Sequence, residues 1–139
     1  MRNTMARLLV LVTCAAAFGL LSSCAAPKPF TTEGLSVEEM FQRAQDAADR
    51  GDYKQAIDYY TAVPEKFPDD KAHQVWATYE MAFIYHKMGK SEEALPLVNQ
   101  ILDRYTKEGD SLPPAPLILA QKLKTRVEAA IEKTPPKKP

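Results

Sequence analysis

The sequence predicts an all-α fold of two helical hairpins followed by one C-terminal helix. Three observations lead to this prediction. Apolar residues recur at helical spacing in five successive segments from Ser36 onward, and no segment alternates with the period of two expected of a half-buried strand. Glycines and prolines separate the segments. A set of residues also recurs at a constant offset of 38 positions.

Composition narrows the function before any motif is considered. The 139 residues are enough for one domain with one core, and 18 basic residues balance 18 acidic ones. No basic stripe for nucleic acid is therefore expected. The two histidines, His73 and His86, are thirteen positions apart with no CxxC or HExxH motif nearby, so no metal site is predicted. No phosphate-binding, dinucleotide or nucleophile motif occurs. We therefore expect that the chain is not an enzyme and has no small-molecule substrate.

The N-terminal segment has the layout of a secretory signal. Arg2 and Arg7 precede an uncharged stretch over residues 8–21. Fourteen helical residues would extend about 21 Å, which is shorter than the ~30 Å hydrocarbon layer of a bilayer. A basic start, a short apolar middle and a small-residue end predict a signal peptide.

The end of this segment, Leu21-Ser22-Ser23-Cys24, resembles the lipobox of bacterial lipoproteins. The resemblance implies a signal peptide over residues 1–23, a diacylglyceryl group on the thiol of Cys24 and an N-acyl chain, such as palmitate, on its freed amine. Two or more chains make a stable membrane anchor. Ala25 stands where an aspartate would retain an enterobacterial lipoprotein in the inner membrane, so we expect the outer membrane, facing the periplasm. The alternatives for Cys24 are an ordinary buried cysteine or an uncleaved anchor.

The mature chain divides into three parts. Residues 24–35 contain Pro27, Pro29 and Gly34 without periodicity, and this predicts the lipidated N-terminus and a semi-extended linker. Residues 36–133 form the helical domain. Residues 134–139 begin with Thr-Pro-Pro and are predicted to be a flexible tail.

The first hairpin has clear boundary signals. Ser36 and Glu39 form a capping box, and the first helix ends at Gly51. Asp52 caps the second helix, which we expect Pro64 and Pro68 to close.

The second hairpin and the last helix follow the same logic. The third helix is predicted from Lys71 to Met88 with Asp70 as its N-cap, and the fourth is predicted to start with Ser91 as its N-cap. After a proline-containing loop, a fifth helix is predicted over residues 116–133.

The two hairpins repeat one another. Six pairs of residues are separated by 38 positions: Phe41 and Tyr79, Ala44 and Ala82, Gly51 and Gly89, Ala56 and Ala94, Ile57 and Leu95, and Val63 and Ile101. This pattern of small residues and a turn glycine resembles the tetratricopeptide repeat, a helical hairpin of 34 residues. The four extra residues are close to one helical turn, which we place before Trp76. The closing proline of the repeat matches Pro68, whereas Thr106 departs from it.

The resemblance implies a surface for protein partners. First helices of such repeats line a groove, and the final helix covers the last apolar face. The positions that correspond to the groove are Phe41, Gln45, Trp76, Tyr79, Phe83 and His86. Trp76, Tyr79 and Phe83 form an aromatic stripe on one helix face, and two interpretations of it stay open. It binds a partner, or the fifth helix buries it as core. His86 is either a pH-sensitive contact or a solvated residue at a helix end.

Together these features predict a membrane-anchored, non-catalytic scaffold that binds an envelope protein or peptide. The chain is also loosely similar to the repeat lipoproteins of the outer-membrane β-barrel assembly machinery, which implies a role in outer-membrane protein assembly. The alternative is a structural lipoprotein that forms homodimers, because fewer than about three repeats leave apolar ends poorly covered.

Overall fold

The computed structural model describes residues 29–133, in which five α-helices and one 3-10 turn follow one another. They are α1 (Val37–Asp49), α2 (Tyr53–Lys66), α3 (Lys71–Lys87), α4 (Ser91–Glu108), the 3-10 turn (Gly109–Ser111) and α5 (Pro114–Lys133). The described part contains no strand, and none of its helices combines the length and apolarity needed to span a bilayer. The predicted signal peptide, Cys24 and the predicted tail lie outside the described residues.

The helices form two layers. Each helix packs on the next one along the chain, while α1 and α5 both contact α3. The layers are therefore α1, α3 and α5 on one side and α2 and α4 on the other. This arrangement confirms the predicted all-α fold, a short tetratricopeptide-like stack of two hairpins and a terminal helix.

The two hairpin turns have the same backbone geometry. Gly51 and Gly89 both occupy the left-handed region, with φ of +79° and +73°. The N–H after each glycine donates to a carbonyl five residues earlier, from Asp52 to Ala47 at 2.9 Å and from Lys90 to Tyr85 at 2.9 Å. This is the Schellman arrangement, which a residue without a side chain favours. The identical turns confirm that the 38-residue offset reflects a structural repeat.

Small residues let the helices of each hairpin pack closely. Ala44 of α1 and Ala56 of α2 are both fully buried, and so are their counterparts Ala82 and Ala94. A larger side chain at these positions would force the helices apart in a close-packed interior.

The additional turn lies where the sequence predicts it. Helix α3 begins at Lys71, four residues before the position equivalent to Val37. Helix α4 is also longer than α2, because Thr106 stands where Pro68 follows the end of α2.

The two longer ends are joined by polar contacts. Lys71 Nζ lies 2.7 Å from Glu108 Oε2, and Arg104 donates to Gln74 Oε1 at 3.0 Å. The amide of Gln74 also donates to the carbonyls of Phe67 and Pro68, both at 2.8 Å. These bonds fix the α2–α3 turn against the end of α4.

Two apolar clusters make up the core, and α3 contributes to both. Ala77 and Ile84 pack into the cluster built by α1 and α2, whereas Val75 and Ala82 pack into the one built by α4 and α5. Helix α3 is consequently apolar around most of its circumference, as expected of a helix covered on several sides.

Prolines end the helices differently from the predictions. Pro64 lies inside α2, which ends at Lys66, so the prediction that Pro64 closes this helix is wrong. Helix α5 begins at Pro114 and not at residue 116. Prolines are tolerated in the first turn because the N–H groups there have no intrahelical acceptor, and Pro116 is fully buried in this turn.

The start of α4 also corrects the sequence analysis. Its N-cap is Lys90, which makes no side-chain capping bond, and Ser91 is the first helical residue. Ser91 is buried, and its Oγ lies 3.1 Å from Nδ1 of His86. The residue equivalent to the Asp52 cap is Lys90, so the second copy lacks the cap of the first.

The last part of the predicted linker contacts the domain. The Phe30 ring lies 4.9 Å from the ring of Tyr59 on α2, and the Thr31 N–H donates to the Tyr59 hydroxyl at 3.5 Å. Leu35 packs on the first apolar cluster. The chain is therefore attached to α2 from Phe30 onward, ahead of the capping box of α1, which forms as predicted.

The missing cap of α4 gives a direct test of the repeat. Lys90→Asp should raise the free energy of unfolding by about 0.5–1 kcal/mol, because the new carboxylate can accept an unpaired N–H of the first turn. The backbone of Lys90 (φ −97°, ψ 59°) is close to that of the Asp52 cap (φ −81°, ψ 68°). Urea unfolding measures the change. Lys90→Ala is the control that removes the lysine without adding a cap, and an equal gain in both variants would contradict the prediction.

Candidate functional site

The predicted groove residues of α1 differ in their surroundings. Phe41 is half-buried, with its ring 5.2 Å from Tyr60 and 5.3 Å from His73, both nearly edge-on. It therefore closes the first apolar cluster. Gln45, one turn further along, is exposed.

The aromatic residues of α3 form one continuous ladder. Trp76 and Tyr79 meet edge to face at 6.0 Å, and Tyr79 and Phe83 stack at 6.3 Å with an interplanar angle of 19°. Trp76 and Tyr79 are half-buried, whereas 38% of Phe83 is exposed. The ladder therefore has an exposed end at Phe83.

Tyr79 lies against α5. Tyr79 packs on the second apolar cluster, and burial is the main cause of the raised pKa of its hydroxyl. The charge of Glu80 raises this pKa further, while the guanidinium of Arg126 on α5 lowers it. Tyr79 thus contributes to packing, whereas Phe83 is exposed enough for a partner to contact it.

A cleft between α1 and α3 opens beside Phe83. Its volume is about 140 Å³, and we call it the α1–α3 cleft. It is lined by Gln45, Ala48, Asp49, Tyr53, Tyr60, Glu80, Phe83, Ile84 and Lys87. Tyr60 is 1% exposed and forms the floor.

The cleft brings together only some of the predicted residues. Gln45 and Phe83 line it, whereas Phe41, Trp76 and Tyr79 do not. His86 lies outside it and contacts Ser91. That these six positions bind a partner stays a prediction.

Glu80 is a cleft residue that the sequence analysis did not identify. Burial raises the pKa of its carboxyl group. Among residues 29–133 no cation lies within ion-pair distance of it. Its charge also raises the pKa of the Tyr60 hydroxyl, which burial raises most, and Asp49 adds to that effect. The signal available in the sequence was that Glu80 is the one acidic residue of α3 and stands between Tyr79 and Met81.

The other charges of the cleft lie at helix ends. Asp49 is the last residue of α1, and the last turn of that helix has no basic residue. Lys87 ends α3, and its Nζ lies 5.4 Å from the centre of the Tyr53 ring. The described residues contain no group of three or more side chains suited to holding a metal ion.

Comparison with known proteins agrees with this geometry. Residues 47–111 match the tetratricopeptide repeat. The match runs from the end of α1 through α2, the whole second hairpin and the 3-10 turn. Tetratricopeptide repeats are protein-interaction scaffolds and are typically non-catalytic.

One relative extends the comparison. An uncharacterized protein of Treponema pallidum (strain Nichols) is 32% identical over 90 residues, which cover 64% of this chain and 34% of the relative. The aligned part of the chain thus spans about a third of the length of that relative. No solved structure matches the chain.

The unpaired Glu80 carboxylate should cost stability at neutral pH. Its pKa is raised in the folded state, so folding favours the protonated form and stability is lost as pH rises through the folded-state pKa. Glu80→Gln should therefore be more stable than wild type at pH 7 by a few tenths of a kcal/mol. The gap should close below pH ~4, where the carboxyl is protonated in both states. Thermal unfolding at both pH values tests this, with Glu65→Gln, exposed on α2, as the control. A gap that persists at low pH would refute it.

Proposed function

We propose that this chain is a lipid-anchored scaffold of the bacterial cell envelope, and that it binds a partner protein on the α1–α3–α5 layer. The observation that carries the proposal is the open end of the aromatic ladder at Phe83, beside the α1–α3 cleft. Exposed aromatic rings next to a concave site are common anchors of protein interfaces. The tetratricopeptide match over residues 47–111 supports the same class of function.

The anchor is supported by the lipobox-like sequence Leu21-Ser22-Ser23-Cys24. In this proposal Cys24 carries the diacylglyceryl and N-acyl chains, and residues 1–23 are removed. Ala25 favours transfer to the outer membrane, where the domain would face the periplasm. A role in outer-membrane protein assembly rests on the loose similarity to the repeat lipoproteins of that machinery.

Acylation is tested at Cys24. Wild type should incorporate radiolabelled palmitate and fractionate with the outer membrane, whereas Cys24→Ser should lose the label, because its hydroxyl cannot replace the thiol in lipid transfer. Cys14→Ser is the matched control and should retain the label. Label that persists in Cys24→Ser would overturn the anchor.

Partner binding is tested at Phe83. In intact envelopes treated with a crosslinker, Phe83→Ala should lose at least 80% of the crosslinked partner while its circular dichroism stays that of wild type, because the ring is largely outside the core. Phe30→Ala is the control, since Phe30 is an aromatic residue of comparable exposure on the α2 side. Equal crosslinking by Phe83→Ala and wild type would contradict the proposed surface. A crosslinked species of twice the mass of the chain would indicate the homodimer instead.

A further inference from the structure

We propose that the α1–α3 cleft binds a cationic side chain, lysine or arginine, of an extended partner segment, held between Asp49 and Glu80 beside the ring of Phe83. This inference rests on the proposed function and specifies the chemistry of the partner.

Glu80 provides one carboxylate of the cleft. It lies in the cleft with Tyr60, Phe83 and Ile84, where burial disfavours its charge and no cation of the described residues compensates it. An unpaired charge at a partly desolvated site is unfavourable, and a cation from outside would relieve the cost. The carboxylate therefore favours a positively charged ligand over a neutral or negative one.

Asp49 provides a second carboxylate on the opposite wall of the cleft. The C-terminus of a helix carries a partial negative charge, which basic residues normally compensate. Helix α1 has an aspartate as its last residue and no basic residue in its last turn. The two walls of the cleft thus contribute one carboxylate each, and both attract a cation.

Two basic residues of the chain itself, Lys87 and Arg50, lie at the ends of α3 and α1. Lys87 lines the cleft, yet its ammonium group lies over the Tyr53 ring and makes no ion pair with Glu80 or Asp49 among the described contacts. Arg50 follows α1 directly, and its guanidinium donates to Gln55 at 3.3 Å. Neither residue forms an ion pair with Asp49 or Glu80, which leaves the two carboxylates available to a cation of a partner.

The size and the lining of the cleft indicate which kind of ligand fits it. A volume of about 140 Å³ accommodates one long side chain, whereas a helix has a diameter of about 10–12 Å. Lysine and arginine combine an apolar stem with a charged end, and aromatic rings interact favourably with both parts. Phe83 and Tyr60 offer such rings next to Glu80. The cleft matches one basic side chain presented by an extended segment.

Equilibrium binding to defined peptides tests the inference. The probes are labelled acetyl-Gly-Leu-Arg-Leu-Gly-amide and the same peptide with Gln or Glu in place of Arg. The full chain is solubilised in a non-ionic detergent, and anisotropy gives Kd. The Arg peptide should bind at least tenfold more tightly than the Gln peptide, and the Glu peptide should bind most weakly. Glu80→Gln should weaken binding of the Arg peptide about tenfold and leave the Gln peptide unchanged.

Controls separate a specific site from general attraction. Glu65→Gln removes one exposed acidic charge of α2 and should leave all three affinities unchanged. Equal affinities of the Arg and Gln peptides, no binding of the Arg peptide, or equal losses in Glu80→Gln and Glu65→Gln would each overturn the inference. If Phe83→Ala loses the crosslinked partner and Glu80→Gln keeps it, the scaffold function stands and the cation site is refuted. Loss of the crosslink in both variants supports both proposals.

Discussion

Burial of α3 on both sides is the constraint on which the rest of this structure depends. The helices before it and after it build separate apolar clusters, and α3 contributes Ile84 to the first and Val75 to the second. Two hairpins of this size have too little core to be stable independently. Sharing one helix joins the clusters into a single domain. The same sharing leaves α3 little polar surface, so the few side chains that it exposes, Phe83 among them, are the ones available for recognition.

Most of the fold could be predicted from the sequence because its signals are local and occur twice. The hairpin turns require a residue in the left-handed conformation, which glycine adopts readily. The repeated alanines are fully buried where the helices of each hairpin cross. The errors arose where a local rule competed with the repeat. Ser91 is a favoured capping residue by type, yet the 38-residue offset from Asp52 points to Lys90, which is the observed N-cap. The proline rule failed similarly at Pro64, because the N–H groups after it still find acceptors, as Phe67 does at the Val63 carbonyl, and the helix continues to Lys66.

The candidate site was less predictable because it depends on how helices distant in sequence are placed. The helical period puts Trp76, Tyr79 and Phe83 on one face, but it gives no information about which ring α5 covers. Glu80 was not predicted as a site residue because its significance arises from the burial that neighbouring helices impose. The cleft itself includes Tyr60 of α2, whose ring lies beneath residues of two other helices. Such convergence has no periodic signature.

The contact between Phe30 and Tyr59 has a consequence for orientation. If Cys24 is lipidated as proposed, only five residues lie between it and Phe30, and the six steps reach about 20 Å at ~3.4 Å per residue. Tyr59 and Tyr60 are adjacent on α2, so their side chains diverge by about 100° around the helix axis. The Tyr59 ring contacts Phe30 of the N-terminal segment, and Tyr60 lines the cleft. The domain would then stay within this reach of the bilayer, and the cleft, on a different side of α2 from the attachment point, would be accessible to proteins at the membrane surface.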